Sequence, residues 1–372
     1  MSKACIARSA RSRHRAPDDR QQRGAGAAAP AGTRGLREIV RHSDHSHRAF
    51  LSVLTLSAAL LSAAAPCASA QLTAARLDAM VEAQRDSGFS GVVLVARNGT
   101  VVMEKAYSPR NGTPLRTTSQ FNIASITKSF TAAAILRLRS THRLSFSDPI
   151  SRFFPYTSPG KRDITIYHLL THTSGLAGHS AGTGIVRRDG AVTAILAQRL
   201  EYPPGTHYEY QDDNYELLGA IVEITSGLKW EDYIDRELLT PARMNSTTFQ
   251  GGDWGHKGAN GMRSTARDLY RWLTAIHDGK LFGRTESQEL ESPLMHVRSE
   301  PPYEIHYGYG NRIYVRNGRV AEVMHSGSGD ARNTSIARML SDGTIVIVLS
   351  NAGQHRGTTW ASYLGMRLAS RK

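Results

Sequence analysis

The chain has two cysteines in 372 residues, Cys5 and Cys67, and both fall within the first 70 positions. A mature protein beginning near residue 71 has no thiol. That excludes a disulfide scaffold, a cysteine-ligated metal and a cysteine nucleophile. Aromatic residues are few, at 7%. The 40% hydrophobic and 21% charged residues are an ordinary globular balance, which excludes wholesale disorder, collagen and coiled coil. No repeat or low-complexity segment follows residue 70, and no Gly-rich phosphate loop is present. The formal charge of +14 is uneven: residues 1–70 carry 11 Lys/Arg against 4 Asp/Glu, and residues 71–372 carry 35 against 28. Half of the excess belongs to the leader, so a nucleic-acid partner is not expected. The length suits two to three domains, or one large fold with an insertion.

Residues 1–47 are rich in Arg, Ala, Gly and His and hold almost no large apolar side chains. They read as a disordered leader or as a start placed too early. From Ala49 to Ala65 there are seventeen residues without a charge, preceded by Arg48 and followed by Ala68-Ser69-Ala70. Positive region, apolar region and small-x-small site are the order of a secretory signal peptide, here 48–70. The run sits at the short end of what spans a bilayer, so cleavage near Ala70 is expected rather than a permanent membrane anchor. Cys67 follows Pro66, a poor context for lipid attachment. An exported protein, periplasmic or secreted, is the expectation.

After residue 70 the pattern runs from helix to strands to helices and back to strands. Residues 73–86 space Leu77, Met80 and Val81 at helical intervals. Gly91–Tyr107 reads as two β-branched runs around Asn98-Gly99, and Asn311–Met324 repeats the pattern around Asn317-Gly318. Asn-Gly tolerates the positive φ that a two-residue hairpin turn needs at both centres. Residues 125–140 read as a long helix, 141–290 as mostly helical, 344–350 as a buried strand and 358–368 as a closing helix. Strands at both ends of the chain with helices between predict an α/β (α+β) sandwich: an antiparallel sheet flanked by helices, with a mostly helical insertion. The sheet part is 71–140 together with 291–372, and 141–290 is the insertion; together they form one unit.

The sharpest local pattern is Phe121-Asn-Ile-Ala-Ser125-Ile-Thr-Lys128-Ser-Phe-Thr131. Ser125 and Lys128, three apart on a helix, share one face. A serine hydroxyl needs a neighbouring base to become a nucleophile, and a desolvated lysine amine can serve. Taken alone, the pair also fits a capping serine and a surface lysine. The surrounding segment, however, resembles the active-site helix of the serine β-lactamase and penicillin-binding-protein superfamily, and most resembles its class C branch, which also holds esterases and D-amino-acid peptidases. Ser147-Asp-Pro-Ile150, Ile166–Leu176, Gly261–Leu269 and Val348-Leu-Ser-Asn351 resemble further family motifs in the same order. The resemblance covers residues 88–365 and implies a β-lactamase/transpeptidase-like fold.

It also implies site residues. Tyr210-Gln-Asp212-Asp-Asn-Tyr215-Glu-Leu-Leu-Gly219 aligns with the family's Tyr-x-Asn motif, so Tyr210 takes the place of the proton-relaying tyrosine and Asp212 stands where Asn is expected. An ionised Asp accepts hydrogen bonds but cannot donate them. It would pair with Lys128, favour the ammonium form and shift proton abstraction toward Tyr210. Without the resemblance, Tyr210 is one more aromatic beside Tyr202, Tyr208 and Tyr215. Met324-His325-Ser326-Gly327-Ser328-Gly329 resembles the third motif, an edge strand beside the serine. The resemblance makes the backbone N–H groups of Ser125 and Ser328 the oxyanion donors, lets Gly327 admit the substrate backbone, and gives His325 a role in tuning Tyr210 or touching substrate. His325 in place of Lys removes a fixed positive charge, which Arg332 is near enough in sequence to replace. His168 and His172 lie four apart, but the metalloprotease Glu is missing, so no metal and no cofactor is expected. Asp212 and Asp213 read as a solvated turn before any paired-carboxylate chemistry.

The expectation is a serine hydrolase working through an acyl-enzyme on a small-molecule ester, amide or lactam, with esters slightly favoured. The alternatives are a β-lactamase, a D-Ala-D-Ala carboxypeptidase or a D-aminopeptidase on cell-wall peptides, or an inactive relative that binds them. The oligomeric state is left open.

Overall fold

The computed structural model describes residues 73–328, 334–355 and 358–369. The leader, the signal-peptide run, both cysteines, Gly329 and Arg332 lie outside these residues. In chain order the principal elements are α1 (Ala74–Glu82), β1 (Gly91–Arg97), β2 (Thr100–Tyr107), β3 (Phe121–Asn122), α2 (Thr127–Ser140), α3 (Ile166–Leu170), α4 (Arg188–Ala197), α5 (Asp212–Ser226), α6 (Trp230–Ile234), β4 (Thr248–Phe249), β5 (Met262–Ser264), α7 (Ala266–His277), α8 (Arg284–Leu290), β6 (Met295–Glu300), β7 (Tyr303–Tyr307), β8 (Arg312–Arg316), β9 (Arg319–Ser328), β10 (Thr334–Leu340), β11 (Ile345–Ser350) and α9 (Trp360–Ala369).

The main sheet has the order β2-β1-β11-β10-β9-β8-β7-β6. β1 pairs antiparallel with β11, Gly91 opposite Ser350 and Ala96 opposite Ile345. Strands from the two ends of the described chain thus close one sheet, as their composition predicts. Both Asn-Gly turns carry positive φ at both centres: 47° and 74° at Asn98-Gly99, 52° and 72° at Asn317-Gly318. β11 is buried along its whole length because helices cover both faces. Ile345, Ile347 and Leu349 face one apolar cluster together with Val92, Leu94 and Ala96. Val346 and Val348 face the other, with Val93, Val95, Trp360 and Leu364. Strands buried on two faces read as unbroken apolar runs. α7 packs on the first face, α1 and α9 on the second.

Several elements depart from the sequence reading. The 125–140 segment is not helical from its start: Ala124–Ile126 is a 3₁₀ turn, and α2 begins at Thr127. The 141–290 stretch is not purely helical, because β4 and β5 join β3 in a small sheet of order β3-β5-β4. The sequence pattern does not predict the β6–β7 hairpin or β10. α2 is buried on nearly every side from Thr127 to Leu138, which only a helix in a protein interior tolerates. Behind it Phe130 stacks on Trp272, with ring centroids 4.0 Å apart.

Glu216 sits in the buried part of α5. Neither carboxyl oxygen has a partner among the described residues, and a side chain at Gly182 would press on one of them. Burial first, and then the charges of Asp213 and Asp212, push its carboxyl up to about 9. Glu216 is therefore protonated at neutral pH when folded and ionised when unfolded. The unfolded state binds fewer protons between the ordinary carboxyl range and pH 9, so stability falls as pH rises through that window. Glu216→Gln removes the dependence. In urea unfolding at pH 5 and pH 8, the wild type should lose about 2 kcal/mol or more between the two, and the variant should not; equal losses would refute the assignment. Trp272→Ala removes the ring backing α2 and should cost about 3–5 kcal/mol at a single pH, read in the same experiment.

Candidate active site

Ser125 lies in the 3₁₀ turn, and the turn is held from three sides. Asn122 Oδ1 accepts from the backbone N–H of Ala124 at 2.8 Å, which stabilises Ala124 at φ 43°, an uncommon conformation for a residue with a side chain. The N–H of Ile123 donates to the Met262 carbonyl of β5 at 3.1 Å. The hydroxyl of Ser335 on β10 donates to the Ile123 carbonyl at 3.0 Å. Two sheets therefore fix the residues just before the serine.

Lys128 has no exposed surface. Its Nζ donates to Ser125 Oγ at 3.0 Å, to Asp212 Oδ1 at 2.7 Å and to the Ala259 carbonyl at 3.1 Å. Burial works against its charge, but the Tyr210 oxygen and the Asp212 carboxylate outweigh that, and the ammonium is held above the ordinary lysine range. Asp212 shows the reciprocal effect. Burial would raise its carboxyl, yet Lys128 and the hydrogen bonds bring it below the usual range. Its second oxygen accepts from Asn260 Nδ2 at 2.9 Å and from Ser180 Oγ at 3.4 Å. The expectation that Asp212 pairs with Lys128 matches this geometry. The solvated-turn expectation for Asp212 and Asp213 does not: Asp213 is fully buried, accepting from the Ala181 N–H and from Gln198.

Tyr210 stands over the lysine, its ring centroid 5.0 Å from Nζ. The other tyrosines of the cluster are used elsewhere. Tyr202 donates to Glu209 at 2.9 Å and Tyr215 to the Leu170 carbonyl at 2.8 Å. Tyr208 packs against Tyr307 and His172. His172 is the hub, its ring centroid 4.5 Å from Tyr210, 5.0 Å from Tyr215 and 4.7 Å from Tyr307. Its Nδ1 accepts from the Gln211 N–H at 3.2 Å, and burial drives its ring well below the usual histidine range. His168 points its Nδ1 at the Thr165 N–H, closing a capping box on α3. Both histidines thus serve local structure.

The third segment lies where β9 outruns its neighbour. The β8–β9 pairing ends at Arg312 opposite Met324, leaving that edge of His325–Ser328 open toward the serine turn. A side chain at Gly327 would collide with the Ile123 carbonyl, so only glycine allows this approach. Ser328 is exposed and lines a cavity of about 360 Å³ with Asn122, Ala124, Asp212, Gln250, His256 and Asn260. His325 is not part of that lining. It is 3% exposed, its Nδ1 donates to the Ser326 carbonyl at 2.7 Å, and its Nε2 accepts from Tyr307 at 3.3 Å. Burial, and then the charges of Arg312 and Lys128, push its ring down to about 3. It is neutral and packs 6.2 Å from Tyr210. Of the two roles considered for His325, its burial fits tuning Tyr210 and disfavours touching substrate.

The structure thus brings Ser125, Lys128, Tyr210, Asp212, Gly327 and Ser328 together. It adds Asn260, Ser180 and the Ala259 carbonyl, which sequence reasoning missed. These come from loops without motif or periodicity, and only the fold brings them to Asp212. Asn122, inside the Phe121–Thr131 segment, is a further site residue, and its one sequence signal is that Asn commonly hydrogen-bonds the backbone two residues on.

A family profile described as Beta-lactamase matches residues 77–363. PbpX of Bacillus subtilis, described as a penicillin-binding protein, is 31% identical over 240 residues, which span 56% of this chain and 60% of PbpX. The match therefore covers less than two thirds of that relative. A penicillin-binding protein homologue from Pyrococcus abyssi, octameric in its solved structure, superposes with a TM-score of 0.70 and 26% identity over 80% of this chain and 76% of its own. D-amino acid amidase from Ochrobactrum anthropi SV3 gives 0.67 and 21% over 79% and 99%, an identity that speaks for fold alone. With most of the chain matched and the sheet, flanking helices and ordered motifs in agreement, this protein belongs to the Beta-lactamase family of serine hydrolases.

Proposed function

We propose that this protein is an exported acyl hydrolase that uses Ser125 as nucleophile and prefers esters. The observation that carries the reading is the buried Lys128 ammonium, bonded at once to Ser125 Oγ and Asp212. A lysine held charged by a carboxylate is a poor base but a good donor to a developing alkoxide. Tyr210, over the same ammonium, then takes the proton. In acylation Tyr210 acts as the phenolate beside the Lys128 ammonium: the Ser125 O–H bond breaks, its proton passes to the phenolate oxygen, and Oγ bonds to the substrate carbonyl carbon. The carbonyl π pair moves onto oxygen, where the backbone N–H groups of Ser125 and Ser328 receive it. When the intermediate collapses, the bond to the leaving group breaks and the leaving group takes the proton from Tyr210. Water repeats the sequence on the acyl-enzyme. Export rests on the 48–70 segment.

The ester preference rests on Asp212. Penicillins and acyl-D-alanyl peptides carry a side-chain amide whose carbonyl needs a donor. Asp212 has none to offer, and its oxygens are already occupied by Lys128, Asn260 and Ser180. An unmet carbonyl there costs roughly 1–3 kcal/mol. A second reading, a D-amino-acid amidase or penicillin-recognising peptidase, draws on the names of the relatives.

Mass spectrometry after exposure to a fluorophosphonate, a penicillin and p-nitrophenyl butyrate tests both. The expected result is a fluorophosphonate adduct and ester turnover, with no penicilloyl species. Ser125→Ala should abolish the adduct and lower turnover by at least ~10³-fold. A lasting penicilloyl adduct on Ser125 would favour the second reading, and no adduct with any probe would favour an inactive binding protein. Asp212→Asn should move the substrate profile toward amide-bearing acyl groups; an unchanged profile sinks the role given to Asp212.

A further inference from the structure

Tyr210 is surrounded by groups from every element packed against it. Lys128 of α2 and Arg312 of β8 lie 5.0 Å and 5.8 Å from its ring centroid. Asp212 of α5 is occupied by Lys128. His172, after α3, and His325 of β9 are both driven toward the neutral form by burial. Tyr307 of β7 lies 6.0 Å away, and Tyr215 of α5 and Tyr208 close the cluster around His172. Arg312 is thus the second fixed positive charge at this ring.

Two features put it there. Gly310 brings the turn before β8 against the backbone of Lys128 and Ser129, where a side chain would clash. Arg312 then opens β8 opposite Met324, one residue before His325. The guanidinium belongs to a half-buried residue and lies against the Tyr210 ring, close enough for a cation–π contact.

We propose that Arg312 is a positioning residue for the serine chemistry, holding the Tyr210 ring and favouring negative charge on its oxygen while the Ser125 proton is transferred. The proposal rests on the reading of Tyr210 as proton acceptor. Arg312 touches neither substrate nor the reacting atoms in this role; it acts through Tyr210.

The test uses the full chain with Arg312→Gln and Arg312→Lys, and follows kcat/KM against pH for neutral p-nitrophenyl butyrate and for an ester carrying a carboxylate. In Arg312→Gln the rising limb of the profile should move up by roughly one pH unit. That is a tenfold loss on the limb, with the plateau recovered at high pH and KM unchanged. Arg312→Lys should return the limb most of the way, and both esters should respond alike. A uniform drop at every pH would make Arg312 merely structural. A loss confined to the anionic ester, through KM, would make it a substrate anchor. Either result overturns the proposal. Tyr210→Phe separates the two readings: if the limb survives there, Tyr210 is not the acceptor and both fall. If the limb vanishes there but stays fixed in Arg312→Gln, the Arg312 proposal alone falls. Where ester turnover is too slow, the pH dependence of fluorophosphonate labelling at Ser125 reads the same limb.

Discussion

Lys128 carries a positive charge with no exposed surface, and the architecture around the serine follows from how that charge is compensated. An ammonium taken out of water costs several kcal/mol unless acceptors and an opposite charge replace its hydration. Here Asp212, the Ala259 carbonyl and Ser125 Oγ take the three N–H directions. Asp212 sits in the first turn of α5, where the helix dipole favours a carboxylate. Its other oxygen is held by Asn260 and Ser180, so the loops that wall the site are tied to the same charge. Removing either member of the pair would strand the other, which typically costs 3–5 kcal/mol. Stability and site geometry are therefore one problem in this protein. A buried lysine cannot be kept charged beside the serine without a carboxylate, and that carboxylate then decides what the lysine can do.

Much of this was legible in the chain because it is local. The Asn-Gly hairpins, the two-faced burial of β11 and the Ser125–Lys128 spacing each depend on a few adjacent residues. Asp212 was readable as a substitution against a motif, and its consequence for Lys128 followed from charge alone. What the chain hid is set by distant pairing. β10 contains Arg338, which interrupts its apolar run; Glu322 on β9 neutralises it in the core. No single segment announces a buried ion pair between strands. In β6 the alternation Met295-His-Val-Arg298 lasts only four residues, the shortest run that marks a strand, before the exposed Ser299 and Glu300 end it. Ser125 reads as part of the long helix because the 125–140 segment is rich in Ala and Leu. Tertiary pins on Ile123 instead hold it in a tighter turn just before α2.

His325 shows the same limit from the other side. Its position in the third segment leaves two roles open, tuning Tyr210 or touching substrate, and its burial weighs for the first. Packed against Tyr307 and Tyr210 and close to two fixed cations, it cannot afford a third positive charge, and it is held neutral. Glu216 is the acidic counterpart: beside two carboxylates and away from water, it keeps its proton. In both cases burial refuses the charged form first, and neighbouring charges of the same sign add to the refusal.

On the proposed mechanism this distribution of charge also bears on the bond that is cleaved. An amine leaves a tetrahedral intermediate only if it is protonated, whereas an alkoxide or phenoxide leaves with far less help. With Lys128 committed to Asp212 and His325 neutral and turned inward, one group, Tyr210, carries the proton in both directions. A site with a single proton carrier is better matched to leaving groups that need the proton least. The absent donor at position 212 and the single shuttle at Tyr210 both trace to the Asp212 carboxylate and its pairing with Lys128, one acting on the acyl side of the scissile bond and one on the leaving side. Both weigh toward the ester.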